Sequence, residues 1–316
     1  VLQQVENFNN PGITANDAFK PVTRYFDRIT RPEQIIQSFP AAVQTMLDPA
    51  DCGPACIALS QDIQGQIFDY PEDFFKERIH AIRRPRPDEF QIKEAAEKIK
   101  SSKNPIIISG GGVFYSDAME ELSKFAIKHN IPVTQTVMGY STMKRDHSHY
   151  AGQIGGLGGK NTNSLAKKTD LAIAVGTKLA DFTTGSWTNF ENENFKLVSI
   201  NVSRFDANKH LAQAVVGDAK VSLNELSQAL GEWKASDEWN KKSQIELKAW
   251  NEEVDKESAP SNQKIPSYVQ VVGAVYRNSD PSDIAVTAAG GLVGEVIQVW
   301  RPRELNTHET EWGFSC

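Results

Sequence analysis

Apolar runs typical of β-strands alternate with helical patterns through residues 105–218, and this alternation constrains the fold more than any other feature. Strand-like runs occupy residues 105–109, 131–136, 170–176, 195–202 and 214–218, and helical patterns occupy 117–129, with Asp117 as the expected N-cap, and 221–230. The run at 170–176 is too continuous for a sheet with one face in water, and it suits a parallel strand covered on both sides. Because short loops join strands to helices, the pattern predicts an α/β central domain with a doubly wound parallel sheet.

The segments on either side predict two partial α/β domains. At 316 residues the chain is long enough for two or three domains. We assign residues 1–67 to the C-terminal part of a first domain, 68–87 to a charged, proline-rich linker and 88–232 to the central domain. A second linker, 233–264, is polar and helical, and residues 265–316 form the first strand–helix unit of a third domain.

Several details of these flanking segments carry further expectations. Residues 1–67 show one helical pattern and one good strand, which is too little for a complete domain. Trp233, Trp239 and Trp250 lie on a mostly charged helical segment, where tryptophans are expected to pack onto a neighbouring domain or subunit. The chain starts at Val1 rather than at methionine and ends in a glycine-containing turn, so we expect it to be a fragment of a longer protein.

Charge and cysteine content exclude several classes of protein. The net charge of −6, without a lysine or arginine patch, argues against nucleic acid as a partner. Three cysteines, an odd number, indicate a reducing compartment, so we expect a cytoplasmic protein. Cys52 and Cys56 have the wrong spacing for a zinc site and are expected to be small buried side chains. No apolar run approaches the roughly 20 residues needed to span a bilayer, so no membrane is expected.

Glycine clusters follow three of the strand patterns, at residues 110–112, 155–159 and 289–291. At such positions backbone N–H groups can bind a phosphate. None of the three has the spacing of a dinucleotide fingerprint or a Walker loop. Tight turns explain such clusters as well, because glycine adopts positive φ at low cost. Phosphate binding and tight turns both remain open from spacing alone.

The remaining reactive side chains give little support for a metal or a nucleophile. His147 and His149 are the only close pair of histidines, and without a third ligand a surface position is favoured over a metal site. No serine lies in a G-x-S-x-G elbow, and no Cys/His arrangement is visible. A hydrolase that uses its own side chain as the nucleophile is therefore not supported.

Three motifs of the central domain carry a family likeness, namely TDLAIAVGTKLADFTTG at 169–185, LVSINVS at 197–203 and VGDAK at 216–220. They resemble the central domain of the thiamine diphosphate (ThDP) enzymes of the acetolactate synthase superfamily. Residues 1 to about 65 resemble the end of the family's pyrimidine-binding domain, and residues from about 265 resemble the start of its diphosphate-binding domain. Segments 1–4, 14–25, 27–33 and 311–316 are similar to the branch that hydrolyses a C–C bond of a cyclic 1,2-dione made from inositol.

The resemblance implies a ThDP- and Mg²⁺-dependent ring opening that gives 5-deoxyglucuronate. It implies a small cyclic dione as the partner and a homodimer or homotetramer, since the family's cofactor sites form between two subunits. The family's activating glutamate would precede Val1, and its metal-binding motif would follow Cys316. We therefore expect the chain by itself to be inactive, and no catalytic or metal residue is assigned within it.

Three groups of residues match functional positions of the family. The first group lies in the strand-end turn against the diphosphate, the second meets the aminopyrimidine through its backbone, and the third lies near the substrate channel. In that order they are Gly290, Gly291, Leu292 and Val293; Gly313, Phe314, Ser315 and Cys316; and Gln3, Gln4 and Arg24. The structural alternatives are a strand-end turn, the surroundings of a helix N-terminus and solvated polar side chains.

The central domain binds FAD or ADP in some relatives. The family's acidic stretch reads INVSR at 200–204, so its carboxylates are missing and the sequence argues against bound FAD. Lys178, Asp181 and Asn201 are the residues that would meet a nucleotide. Alternatives to the ring opening are an acetolactate synthase-like carboligase, a malonic semialdehyde decarboxylase, a non-catalytic nucleotide-binding module, and an inactive core of a longer enzyme.

Overall fold

The computed structural model describes residues 9–10, 12–288 and 290–310. The chain divides into two units, Val1–Arg84 and Pro85–Cys316. None of the described helices is long and apolar enough to cross a membrane.

In the first unit, one helix connects two parallel strands. Strand β1 (Tyr25–Ile29) pairs with β2 (Ala55–Leu59), and α1 (Ile35–Leu47) lies between them in sequence. The short helix α2 (Gln61–Gln64) and three 3₁₀ segments, Ala15–Val22, Pro32–Gln34 and Glu72–Phe75, complete the described part.

Two expectations for this unit were wrong. The sequence indicated one strand, and the structure adds β1, whose charged Asp27 and Arg28 hide the strand pattern. The carboxylate of Asp27 is accommodated because it accepts a hydrogen bond from Ser38 on α1. Cys52 is exposed and Cys56 is only half-buried, because β2 is only partly covered within this unit.

The second unit contains a six-stranded parallel sheet. Its strands are β3 (Pro105–Ser109), β4 (Val133–Gln135), β5 (Tyr150–Gln153), β6 (Leu171–Val175), β7 (Lys196–Asn201) and β8 (Gln213–Val216). Their spatial order is β5-β4-β3-β6-β7-β8, and each neighbouring pair is parallel. The chain builds outward from β3 to one edge and then from β6 to the other, as in dinucleotide-binding folds. The predicted doubly wound α/β domain is confirmed.

Helices cover both faces of this sheet. They are α3 (Glu89–Lys100), α4 (Gly112–Tyr115), α5 (Met119–His129), α6 (Lys160–Lys168), α7 (Asp181–Thr184), α8 (Arg204–Ala207), α9 (Ala219–Leu230) and α10 (Asp237–Glu257). Ile107 of β3 packs in one core with Leu122 of α5 and Leu226 of α9. Its neighbours Ile106 and Ile108 pack in a second core that includes α6 and α10. Because alternate side chains point to opposite faces, this double burial requires the continuous apolar runs.

The structure corrects two local predictions in the central domain. Helix α5 begins at Met119 rather than after Asp117, whose φ of 50° lies in the left-handed region. The Asp117 carboxylate pairs with Lys220 at 3.1 Å instead of capping the helix. Strand β5 was not predicted, because it is short and contains Gly152 and Gln153 in place of an apolar run.

Helix α10 covers part of the second face of the sheet. Trp239 is 4% exposed, and its indole Nε1 donates to the carbonyl oxygen of Pro105 at 2.8 Å. Trp239 thus packs onto the sheet of its own unit, as Trp233 also packs against a core of this unit, and a contact with a separate domain or subunit stays a prediction. The segment between the predicted domains is therefore part of the core of the second unit.

A smaller strand–helix–strand unit follows α10. Helix α11 (Tyr268–Asn278) precedes β9 (Ala285–Thr287), α12 (Val293–Val299) and β10 (His308–Thr310). Strands β9 and β10 pair in parallel, with Ala285 opposite His308. The predicted strand–helix unit corresponds to β9 and α12, whereas β10 was missed because His308-Glu-Thr310 has no apolar pattern.

We predict that Gly176→Ala strongly destabilises the protein. Gly176 ends β6 with a φ of 60°, and a Cβ atom there would lie 2.6 Å from the Cα of Gly112, which follows β3. Overpacking and left-handed strain together should lower the free energy of unfolding by about 3 kcal/mol or more. Urea unfolding measures this change.

Gly156→Ala is the matched control, since its Cβ would lie 3.7 Å from Phe182, at ordinary contact distance. Equal stability of the two variants would show that the ends of β3 and β6 are not packed backbone against backbone.

Candidate functional site

The candidate site begins where β9 and β10 end side by side. Thr287, the last residue of β9, is the register partner of Thr310, the last residue of β10. Gly290 and Gly291 follow β9 in a turn, and α12 begins at Val293. Ligands of open parallel sheets bind beyond the carboxyl ends of strands, which is where this turn lies.

The backbone of this turn is open. A Cβ atom on Gly290 or Gly291 would meet nothing within 4 Å, and Gly290 has a φ of 148° that favours glycine. Gly290, Gly291 and Leu292 donate no backbone hydrogen bond to another described residue. Three N–H donors beside empty space fit an anionic group such as a diphosphate, because backbone donors need partners when they are covered.

The side chains that follow the turn face different surroundings. Leu292 is 45% exposed, whereas Val293 and Ile297 are buried against Val137 and Leu157 of the central domain. The first residues of the turn are thus accessible, and the helix behind them is fixed. The turn therefore combines backbone donors that pair with no described residue and a support packed on the central domain.

Three titratable side chains near α12 and β10 are buried. Burial raises the pKa of Tyr150 to about 12 and raises that of Tyr140 well above its usual range. Burial lowers the pKa of His308 from 6.5 to about 4. The His308 ring packs edge-on against Tyr140, with ring centroids 5.1 Å apart. All three groups are therefore uncharged at neutral pH and support this region through packing and hydrogen bonds.

No metal centre is formed by the residues that the structure describes. No group of three or more histidine, cysteine, aspartate or glutamate side chains among them could hold a metal ion. His147 bonds through Nε2 to Ser123 at 2.8 Å, and His149 bonds through Nε2 to Asn130 at 3.1 Å. His149 is buried rather than on the surface, and burial, followed by the proximity of His147, lowers its pKa to about 4. This pair therefore supports the loop that leads into β5.

The other two glycine clusters serve close packing. A Cβ atom on Gly110 would lie 2.5 Å from the carbonyl oxygen of Gly176, and one on Gly158 would lie 2.4 Å from that of Gln153. Protein backbone occupies the space that a phosphate would need at these two glycines. Tight turns are the better interpretation of both clusters.

The residues expected to meet a nucleotide do not form a binding group. Asn201 donates through Nδ2 to the carbonyl oxygen of Thr177 at 3.2 Å and accepts from the N–H of Ser203 at 2.9 Å. Both ends of its amide are thus used within the chain. Lys178 and Asp181 are exposed. Because residue 201 is an asparagine, no carboxylate is available there to accept hydrogen bonds from a ribose.

The remaining predicted positions divide into two sets. Arg24 is exposed immediately before β1, its N–H donates to Pro54 at 2.8 Å, and its stem lies against Gly53. Residues 3 and 4, predicted near the substrate, and residues 313–316, predicted at the aminopyrimidine, lie outside the described residues. These six are Gln3, Gln4, Gly313, Phe314, Ser315 and Cys316. Arg24 lies in the first unit and Gly290 to Val293 in the second.

Sequence reasoning missed the residues that support the turn. Tyr140 donates its hydroxyl hydrogen to the carbonyl oxygen of Ile297 at 2.6 Å, across 157 positions of the chain. Ser141 accepts from the N–H of Thr307 at 3.2 Å. Neither contact has a local sequence signal, because both partners come from distant segments.

Comparison with known proteins gives two results. The family model for the central domain of thiamine pyrophosphate enzymes matches residues 92–226. Proteins named 3D-(3,5/4)-trihydroxycyclohexane-1,2-dione hydrolase from Clostridium perfringens and Bacillus licheniformis are 38% and 39% identical to this chain over 339 residues. Each alignment spans 100% of this chain and 53% of the relative, so the chain covers about half the length of the curated relatives it matches.

We predict that replacing His308 by Gln or Phe reduces the loss of stability in acid. Because the folded-state pKa is about 4, below the usual 6.5, the unfolded chain binds a proton that the folded chain does not. Stability therefore falls as pH drops from about 6.5 towards 4, by up to about 1.4 kcal/mol per pH unit. Urea unfolding across this range measures the slope.

Both His308 variants should give the same shallower slope, since neither replacement titrates there. The pKa of His149 is also lowered, so part of the slope should remain in both His308 variants. A slope equal to that of the unsubstituted protein would contradict a buried, neutral His308.

Proposed function

Because residues 92–226 belong to the family of thiamine pyrophosphate enzyme central domains, we propose that the chain is part of a ThDP-dependent C–C hydrolase. Its substrate is a trihydroxycyclohexane-1,2-dione, and its product is the open-chain sugar acid 5-deoxyglucuronate of inositol catabolism. The observation that carries this proposal is the extent of the likeness to the hydrolases, which spans the whole chain. Because the flanking segments resemble domains of the whole superfamily, it is the naming of these relatives as hydrolases that favours ring opening over a carboligase or decarboxylase.

The turn after β9 holds the cofactor diphosphate in this proposal. Thiamine diphosphate supplies a nucleophilic carbon and an electron sink for cleavage of a bond next to a carbonyl. Gly290, Gly291 and Leu292 provide backbone donors that pair with no described residue, and the absence of side chains at the two glycines leaves room for the diphosphate. Val293 is buried against Val137 and Leu157 of the central domain, and it thereby fixes the end of the turn at which α12 begins.

The remaining assignments rest on the family likeness. We place Gly313, Phe314, Ser315 and Cys316 at the aminopyrimidine, and Gln3, Gln4 and Arg24 near the substrate. Mg²⁺ is proposed as the partner of the diphosphate, but the described residues do not form a site for it, and we derive no step through the metal. A homodimer or homotetramer in the cytoplasm is proposed as the working form.

We predict ThDP-dependent ring opening by the protein expressed from its complete gene. With the cyclic dione, ThDP and Mg²⁺ present, loss of the dione and formation of one equivalent of sugar acid should both be observed by chromatography. Omission of ThDP from the apoprotein should abolish both. Pyruvate and malonic semialdehyde are the control substrates, and turnover of either one without turnover of the dione would favour the carboligase or decarboxylase instead.

We further predict that Gly291→Ala weakens ThDP binding without unfolding the protein. The added methyl group meets no protein atom within 4 Å, so the free energy of unfolding should change by less than about 0.5 kcal/mol. It enters the space assigned to the diphosphate, where overpacking costs roughly 1–3 kcal/mol. The dissociation constant of ThDP should therefore rise about tenfold or more.

Isothermal titration of the apoprotein measures this constant. Gly65→Ala is the control, because its Cβ would lie 3.6 Å from the carbonyl oxygen of Asp62, away from the turn. If Gly291→Ala bound ThDP as tightly as the unsubstituted protein, the assignment of the diphosphate to this turn would be wrong.

A further inference from the structure

One loop of the central domain holds the segment formed by β9, α12 and β10. We call residues 137–145, which follow β4, the clamp segment. Tyr140, 1% exposed, donates to the carbonyl oxygen of Ile297 at 2.6 Å. Ile297 is in the last turn of α12, where carbonyl groups have no partner within the helix. The Tyr140 hydroxyl therefore caps the C-terminal end of α12.

Ser141 binds the connection that leads into β10. Its Oγ accepts from the N–H of Thr307 at 3.2 Å, and its carbonyl oxygen accepts from the N–H of Asn306 at 3.4 Å. Ser141 has a φ of 68° and is fully buried. A buried non-glycine residue in the left-handed region costs energy, so its surroundings must hold it there. Gln135 does so by accepting from the Ser141 N–H at 3.3 Å.

Further contacts of the clamp segment reach the same part of the chain. The N–H of Arg145 donates to the carbonyl oxygen of Pro302 at 2.7 Å, and Lys144 forms an ion pair with Glu304. Val137 packs with Val293 and Ile297 of α12. The segment thus contacts the start of α12, its end and the connection to β10.

We propose that Tyr140 and Ser141 are positioning residues for ThDP. They fix the C-terminal end of α12 and the connection into β10, and through these the turn after β9, without contacting the cofactor. This inference rests on the proposed function, which places the diphosphate at Gly290 and Gly291. The affinity of a ligand rises when its site is ordered beforehand, because less freedom is lost on binding. The central domain, which offers no carboxylate at position 201 for a nucleotide, thereby contributes to cofactor binding through the clamp segment.

Tyr140→Phe and Ser141→Ala test the proposal in the protein expressed from its complete gene. Each variant removes one hydroxyl group that bonds to the β9, α12 and β10 segment and leaves the rest of the side chain. Each should weaken ThDP binding about tenfold by titration of the apoprotein, since a net hydrogen bond is of that size. The turnover rate at saturating ThDP should change less than the affinity.

A second measurement needs no cofactor. In the apoprotein of both variants, amide hydrogen exchange of residues 293–299 and 308–310 should be faster than in the unsubstituted protein. Thr134→Val is the matched control, because it also removes a buried hydroxyl bond, from Thr134 to the carbonyl oxygen of Ile107 at 2.9 Å. That bond lies within the central sheet, so the control should lower the unfolding temperature but leave both ThDP affinity and exchange at α12 unchanged.

The outcomes separate this inference from the proposed function. If the unsubstituted protein binds ThDP and both variants bind it equally well, with unchanged exchange at α12, Tyr140 and Ser141 are merely structural and the inference is overturned alone. If the unsubstituted protein does not bind ThDP, the proposed function fails and the positioning role fails with it. Weaker binding and faster exchange in both variants, but not in Thr134→Val, support the inference.

Discussion

Burial of both faces of one parallel sheet is the requirement on which the rest of the second unit depends. Each strand at the centre of the sheet must present apolar side chains in two directions, and helices must cover each side. The first face is covered by α3, α5 and α9, and the second is covered in part by α6. Helix α10 completes that cover by inserting Trp239. Segment 233–264, whose sequence is that of a polar linker, is thereby fixed to the core. The elements that follow it, from α11 to β10, therefore start from a defined position.

The continuous apolar runs made the sheet predictable, whereas the polar strands did not. Strands β3, β6 and β7 follow from their sequences because their side chains are buried on both faces. Strands β1 and β10 contain charged residues that are accommodated by structural context, as Asp27 is by Ser38. The turn at residues 290–293 was predicted to meet a diphosphate through family likeness alone, since its glycines have no distinctive spacing, and that role stays a prediction. Tyr140 and Ser141 could not be found in this way, because their partners lie more than 150 residues away.

Glycine has two opposite uses in this chain, and sequence alone does not distinguish them. At Gly110, Gly158 and Gly176 a side chain would collide with backbone atoms, so glycine permits close packing. At Gly290 and Gly291 a side chain would enter empty space, so packing within the chain does not require glycine there. Gly290 has in addition a φ that favours glycine, whereas Gly291 has no such requirement. Among the described residues, the backbone at Gly291 is therefore left open to a group from outside the chain.

The support behind that turn consists mainly of directed hydrogen bonds between uncharged groups. Burial keeps Tyr140 and His308 neutral at physiological pH, and the Tyr140 hydroxyl has one defined acceptor on α12. A bond of this kind fixes direction as well as distance, which apolar packing alone does not. Such a support holds its geometry as ionic strength changes, since screening acts on charges and hardly on neutral buried bonds. The central domain therefore holds the segment that carries this turn mainly through neutral hydrogen bonds, to which the ion pair of Lys144 with Glu304 is added.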